Sequence, residues 1–266
     1  MALPFRLFAL RYATNPKRRT VSNFLSNADL HDGPMPMDYF VWLAVNDTHA
    51  VVIDSGMTQA ACEARGHTFL CDPVAGLAQL GVAPEKVAQV VVTHLHYDHA
   101  GNLDKFPNAH FHIHPAELGH ACGPYMQHAS LRRPYRVDQI CTALRLLYGD
   151  RLHFTAESTE IVPGITSHWV GGHTPGMQVV RVLTERGMVV LASDAMHYYA
   201  NLERRNPFPI LVDTLAYITA WDQLLALADS VDHIVAGHDP KVMALYPNAA
   251  PDRPGFAVRL DLPPVA

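Results

Sequence analysis

Six consecutive residues, His94-Leu95-His96-Tyr97-Asp98-His99, constrain this chain more than any other feature. They put three imidazoles and a carboxylate into one short loop. The run before them, residues 87–93 (VAQVVVT), is apolar and β-branched and predicts a buried strand. Packing does not explain a strand that ends by delivering four metal-ligand side chains. Imidazole nitrogen with carboxylate oxygen suits borderline divalent metals such as zinc. A single open catalytic ion does not need four ligands from one loop, so the spacing suggests two ions. His94 and His96, two residues apart, can share a face, while Asp98 and His99 follow on the turn into the next helix and can point elsewhere.

Histidine is abundant here, 17 residues in 266, so clustering alone means little. His110, His112 and His114 alternate with Phe111 and Ile113, as on one face of a half-buried strand, and are read as structural or peripheral. Other candidates lie where a metal site would need them. Gly171-Gly172-His173 follows a short strand at 166–170, and its glycines allow a loop to fold closely around an ion. Asp194 follows the apolar run 188–191, and Gly237-His238-Asp239-Pro240 follows 233–236. Each lies just past the end of a predicted strand, where binding groups concentrate on a rigid scaffold.

With these residues in order, His94-x-His96-x-Asp98-His99, then His173, Asp194 and His238, the chain resembles the metallo-β-lactamase superfamily of dinuclear hydrolases over about residues 38–245. Within it, Gly237-His238-Asp239-Pro240, the insert after residue 115 and the overall length resemble the N-acyl homoserine lactonase-like branch. The resemblance implies an α/β fold, an αββα sandwich of two mixed β-sheets flanked by helices, filling residues 1–266 as one domain. It assigns His94, His96 and His173 to a first metal, Asp98, His99 and His238 to a second, and Asp194 to a bridge between them. Asp54-Ser55-Gly56, closing the strand Ala50–Ile53, looks like the family's early acidic turn, whose Asp supports the metal loop. The implied cofactors are two divalent metal ions, with zinc the default and manganese, iron or cobalt also suited to mixed N/O donors. A homodimer is a further implication.

One position departs from the branch. Three residues after the bridging Asp, its members usually carry a Tyr that contacts the substrate carbonyl; here His197 stands there, followed by Tyr198 and Tyr199. Either His197 takes that donor role, or Tyr198 or Tyr199 reaches in, or the substrate is not an acyl homoserine lactone. The implied reaction is hydrolytic opening of a lactone by a hydroxide bridging the metals. A donor such as His197 or Tyr198 would hold the oxyanion, and Asp98 would orient the hydroxide and pass a proton to the leaving group. No Gly-x-Ser-x-Gly motif offers a protein nucleophile.

Alternatives on the same ligands are hydrolysis of another ester, a thioester or an amide, or a mononuclear iron persulfide dioxygenase. The 28 residues after His238 are short for an added glutathione-binding domain. His96, where flavodiiron oxygen reductases usually carry Glu, disfavours that chemistry. The seven filled ligand positions argue against a binding protein on a retired hydrolase fold.

Hydrophobic content of 49% supports a substantial core, and no Gly/Ser linker divides the chain. Net charge is −5, and Lys17-Arg18-Arg19 reads as a solvated turn, so a nucleic-acid partner is not expected. The N-terminal stretch is broken by Arg6 and Arg11 and makes a poor secretory signal, and no segment approaches 18 apolar residues. Cys62, Cys71, Cys122 and Cys141 lack C-x-x-C spacing and read as reduced thiols, which fits a cytoplasmic protein with a small lactone or ester substrate. Residues 116–154 read as a largely helical insert, with clear helical spacing over Val137–Tyr148. Tyr125, Met126, Arg132, Arg133 and Tyr135 within it, together with residues 32–40, are candidates for the pocket wall. Arg204 and Arg205 are candidates for holding a substrate carboxylate.

Overall fold

Side-chain alternation along the strands explains the layering in the computed structural model, which describes residues 2–26 and 31–265. Met1 and Ala266, the ends of the expected domain, lie outside the described residues. In β1 (Arg6–Asn15) and β2 (Met37–Val45), Leu7, Ala9, Phe40, Trp42 and Ala44 enter one core, while Phe8, Leu10, Tyr39, Val41 and Leu43 enter another. Successive residues of a strand face opposite sides, and both sides here are buried. Each large side chain removed from water stabilises the fold by about 1.5–3 kcal/mol.

The first sheet adds β3 (Ala50–Ile53), β4 (Thr68–Phe69), β5 (Gln89–Val91), β6 (His110–Ile113) and β7 (Leu152–Phe154). The second holds β8 (Ser158–Val162), β9 (Ile165–Trp169), β10 (Gln178–Thr184), β11 (Gly187–Leu191) and β12 (Ile234–Val235). A last strand, β13 (Ala257–Arg259), returns to the first sheet. The orders are β13-β1-β2-β3-β5-β6-β7, with β4 on β1, and β12-β11-β10-β9-β8. Both sheets are mixed: β3, β5, β6 and β7 pair in parallel, as do β11 and β12, and the other pairs are antiparallel.

Val51, Ile53, Val180, Val182, Val189 and Leu191 fill the space between the sheets. On the outer faces, Val52 and Val90 share a cluster with Cys62, Leu77 and Ala143 of the helices Gln59–Ala64, Pro73–Gln79 and Val137–Tyr148. Val179 and Val190 pack with Tyr217, Trp221 and Leu224 of the helix Thr214–Leu227. The result is the expected αββα sandwich.

Two expectations need correction. The strand expected over 87–93 is regular across Gln89–Val91; Val92 N–H still reaches the His112 carbonyl at 2.9 Å, but Thr93 gives its N–H and hydroxyl to the Asp54 carboxylate, both at 2.7 Å. The insert at 116–154 is not helical to its end. Its helices Pro115–Ala121, Ala129–Arg132 and Val137–Tyr148 stop at Gly149, Asp150 turns at φ 58°, and Leu152–Phe154 extends the first sheet as β7. The insert thus completes a sheet edge as well as covering it.

Candidate metal centre

All four ligand-bearing loops leave strand ends on one side of the sandwich. The 94–99 loop is fixed from several directions. Ser55 N–H donates to the His99 carbonyl at 2.7 Å, and the Tyr12 hydroxyl donates to the Asp98 carbonyl at 2.7 Å. Leu95 N–H donates to Glu117 at 2.8 Å. Buried Glu117 also accepts from Tyr135 Oη at 3.2 Å and Gly176 N–H at 3.3 Å, so one carboxylate ties two ligand loops to the insert. On the opposite side, Gly172 sits at φ 86°, and a Cβ there would stand 2.5 Å from the Tyr217 backbone nitrogen. Glycine lets the His173 loop lie directly on the helix Thr214–Leu227.

The side chains then converge. One ligand atom each from His94, His96, His173 and Asp194 lie within 4.8 Å of one another. Asp98, His99 and His238 form a second such group, and Asp194, His197 and His238 a third. Every one of these residues is buried. Around the Asp194 carboxylate stand His99 Nε2 at 3.1 Å and His238 Nε2 at 2.9 Å on Oδ1. On Oδ2 stand His173 Nε2 at 3.1 Å, His197 Nε2 at 3.0 Å and His94 Nε2 at 3.7 Å.

The far nitrogens show what these imidazoles are set up to do. His99 Nδ1 meets Asp54 at 2.7 Å, His173 Nδ1 meets the Ile210 carbonyl at 2.6 Å, and His238 Nδ1 meets the Asp38 carbonyl at 2.8 Å. Those acceptors require the proton on Nδ1, which in a neutral ring leaves the Nε2 lone pair facing inward. His96 Nδ1 and His173 Nε2 face each other at 2.9 Å, and among the described residues the buried Nε2 atoms of His94 and His99 have no hydrogen-bond partner. Lone pairs aimed at a carboxylate repel it unless a cation lies among them, so the donor set fits divalent metal ions.

Charge balance agrees. Burial disfavours a charged His99, yet Asp194, Asp98 and Asp54 outweigh it and hold its pKa well above the ordinary value. Burial also opposes an ionised Asp194, yet His197, His238, His99 and His173 hold it well below the usual carboxylate range. His94 and His96 are pushed well down, chiefly by burial and then by neighbouring imidazoles. Asp194 and Asp98 draw positive charge onto His99 and His238, and a divalent cation would take the place of those protons, because histidine binds metal as the neutral ring.

Above the cluster opens a cavity of about 310 Å³, bordered by His96, Asp98, His173, Asp194, His197 and His238. His197 lies at its floor, stacked on Phe208 at a centroid distance of 3.7 Å, with Nδ1 at 3.1 Å from Tyr217 Oη. Burial drives its pKa down to about 3 against the opposing pull of Asp194, which favours the neutral ring.

Tyr198, the other expected donor, is placed differently. Its hydroxyl donates to the Pro36 carbonyl at 3.2 Å and it does not border the cavity, because its backbone starts the helix Tyr199–Glu203. Tyr199 is likewise packed away from the cavity, with its N–H on Asp239. Arg205 pairs with exposed Asp222, and Arg204 lies over Phe24, so neither reaches the site. Of the expected wall, Met37, Tyr39 and Arg133 border this cavity, and Tyr135 borders an adjoining one of about 230 Å³.

Sequence reading missed Glu117, Tyr217, Arg65 and His67. Glu117 carried a faint signal, a carboxylate in the first turn of a helix opening on Pro115. The other three act only through long-range contacts. His110 and His112 stay outside the metal groups, as expected: His110 meets His153 at 2.8 Å, and His112 meets Gln89 at 2.6 Å. His114 caps a helix and stacks on Trp169.

A two-sheet sandwich with His/Asp clusters at its strand ends defines a class of metal-binding α/β proteins, and comparison with known proteins gives that class its family. The profile of the metallo-β-lactamase superfamily matches residues 35–238, and the chain belongs to that superfamily. An N-acyl homoserine lactonase from a Bacillus species is 29% identical over 201 residues, 68% of this chain and 74% of that one. One from Azorhizobium caulinodans is 25% identical over 85% of this chain and 88% of its own length. A Bacillus cereus N-acyl homoserine lactonase is 32% identical over 135 residues, and there the match spans only about half of each chain, 50% and 48%. Among solved structures, a quorum-quenching N-acyl homoserine lactone lactonase superposes with a TM-score of 0.72 at 22% identity, covering 91% of this chain and 95% of that one. At that identity the likeness speaks for the fold.

Proposed function

We propose that this protein, as a metal-dependent hydrolase acting on ester bonds, opens the ring of a lactone, either an N-acyl homoserine lactone or a related small lactone. The observation that carries this reading is the placement of two His/Asp groups beside a cavity sized for a small molecule, with the Asp194 carboxylate of one group touching His99 and His238 of the other. The relatives named N-acyl homoserine lactonase supply the substrate class. His94, His96 and His173 would hold one ion and Asp98, His99 and His238 the other, with Asp194 between them. Divalent ions bound there would supply Lewis acidity and a water made nucleophilic near neutral pH.

The chain's own groups do the rest. His197 takes the place of the donor to the substrate carbonyl. With Tyr217 donating to Nδ1, its proton lies on Nε2, which faces Asp194 Oδ2 at 3.0 Å; with Asp194 engaged by the ions, that proton would be released to an oxyanion. Asp98 borders the same cavity and carries a proton to the departing alkoxide. Phe208, Met37 and Ile210 give the substrate an apolar wall. Among the described residues no helix is long and apolar enough to cross a membrane.

The test is acid release from a panel of acyl homoserine lactones, γ-butyrolactone and aromatic lactones, with wild type and His197→Phe. We expect turnover of at least one lactone class, and a fall in kcat of about 10²–10³-fold in the variant with metal content unchanged, the usual cost of one lost oxyanion donor. A wild-type chain loaded with metal that hydrolyses no lactone would move the substrate to thioesters, amides or other esters. An unaffected His197→Phe would remove His197 from the reaction.

A further inference from the structure

The cavity's charge is at odds with the rest of the molecule. The chain has 25 acidic and 20 basic side chains, yet three guanidiniums, Arg18, Arg65 and Arg133, border this cavity. The carboxylates bordering it are Asp98 and Asp194, both in the metal groups. Some arginines elsewhere meet acids, Arg11 with Asp38, Arg19 with Asp32, Arg205 with Asp222 and Arg259 with Asp261, while others, such as Arg151, Arg181 and Arg186, are held by main-chain carbonyls. Arg65 lies 3.5 Å from the Tyr97 ring centroid and donates Nη2 to the Arg133 carbonyl at 2.9 Å. Among the described residues the Arg18 guanidinium bonds the Asn23 side chain and the Ser22 carbonyl, and it lies over Phe208. Among the described residues neither Arg65 nor Arg133 has an acidic partner.

Arg65 and Arg133 line one cavity with no acidic partner among the described residues, and a neutral acyl chain laid against their guanidiniums would strip their water without compensation. A carboxylate or a phosphate offers the guanidinium fork two oxygens and gains charge-assisted hydrogen bonds. Stacking on Tyr97, whose neighbour Asp98 lies at the cluster, fixes the Arg65 end of the cavity relative to the metal groups.

We infer that the substrate carries a carboxylate or phosphate group, gripped by Arg65 and Arg133 while its scissile carbonyl lies over the metal groups; the second half of this statement rests on the lactone and ester reading above. Arg18 adds to the field without being a direct partner. An uncharged acyl homoserine lactone would then be a poor substrate, and a small lactone or ester with an acidic substituent a good one.

Binding tests this without requiring turnover. On the metal-loaded protein, calorimetry compares pentanoate with glutarate and 4-phosphonobutyrate, each of which offers one carboxylate to the metals. Glutarate and phosphonobutyrate add a second oxyanion of the two kinds. We expect one of them to bind about tenfold or more tightly than pentanoate, and the tighter one names the group. The margin should shrink as NaCl rises, vanish in Arg65→Gln with Arg133→Gln, and be only partly kept in Arg65→Lys, which retains the charge but loses the fork. Equal binding of all three by the wild type would overturn the inference, and so would a margin untouched by the double variant. In parallel, γ-butyrolactone and its γ-carboxylate are compared by kcat/KM. A binding margin with neither lactone hydrolysed would sink the lactone reading and keep this one. Equal turnover of both with no binding margin would do the reverse.

Discussion

Asp54 shows how much of the site depends on residues that would touch no metal. It sits at φ 60°, an uncommon conformation for anything but glycine, and from there its carboxylate accepts from Thr93 N–H, Thr93 Oγ1 and His99 Nδ1. It thereby fixes both the end of β5 and the ring of His99. Removing such a partner typically weakens metal binding by about 10–100-fold. Asp54→Ala should therefore bind one of two ions more weakly by that factor, read by competition with a chromogenic chelator. Two affinities equal to wild type would show that His99 is oriented by packing alone. Asp54 was legible through the resemblance, because Asp54-Ser55-Gly56 at the end of a strand looks like the family's early acidic turn. His197 was legible as an oddity in the pattern. Glu117 and Tyr217 were not, since their partners lie 22 and 20 positions away and only the folded chain brings them together.

At the scale of elements, strand ends were easier to read than strand lengths. The runs ending near 93, 170, 191 and 236 all proved to be strands, because short β-branched runs between loop signals have few other uses. Their bounds shifted where side chains took over hydrogen bonds from the ladder, as Thr93 does. β7 was absorbed into a helical reading because three residues are too few to show a period of two. The glycine turn before His173 makes a sharp prediction. In Gly172→Ala, strain at φ 86° and the clash with Tyr217 should cost about 1–3 kcal/mol in denaturant unfolding and lower occupancy of the His173 site. Wild-type stability and metal content would show that the loop has slack. The β5–β7 edge makes a second. Burial, then His153 and His110, depress the His112 pKa from 6.5 to about 4. Above pH 6.5 the ring is neutral folded or unfolded and pH has no effect. Between 6.5 and 4 the unfolded chain takes up a proton that the fold refuses, so stability falls with pH. His112→Gln should flatten that fall in chemical denaturation across this window, with metal content unchanged. An identical slope would place His112 in an environment as wet as the unfolded chain's.

For the whole molecule, the layers and the site explain each other. Two sheets with buried residues on both faces need helices outside, and that arrangement leaves the strand ends free to carry ligands. The sandwich was legible through resemblance carried by the His94–His99 motif, His173, Asp194 and His238, whereas the arginine-lined cavity was not, because Arg18, Arg65 and Arg133 come from three distant segments. The account stands on a centre that holds two ions, and metal content measures it directly. Metal-free protein saturated with zinc, desalted and assayed by atomic spectroscopy should hold two ions per chain, and His238→Ala should hold one. A wild-type value of one, or two ions retained in His238→Ala, would contradict the assignment of Asp98, His99 and His238 to a second metal.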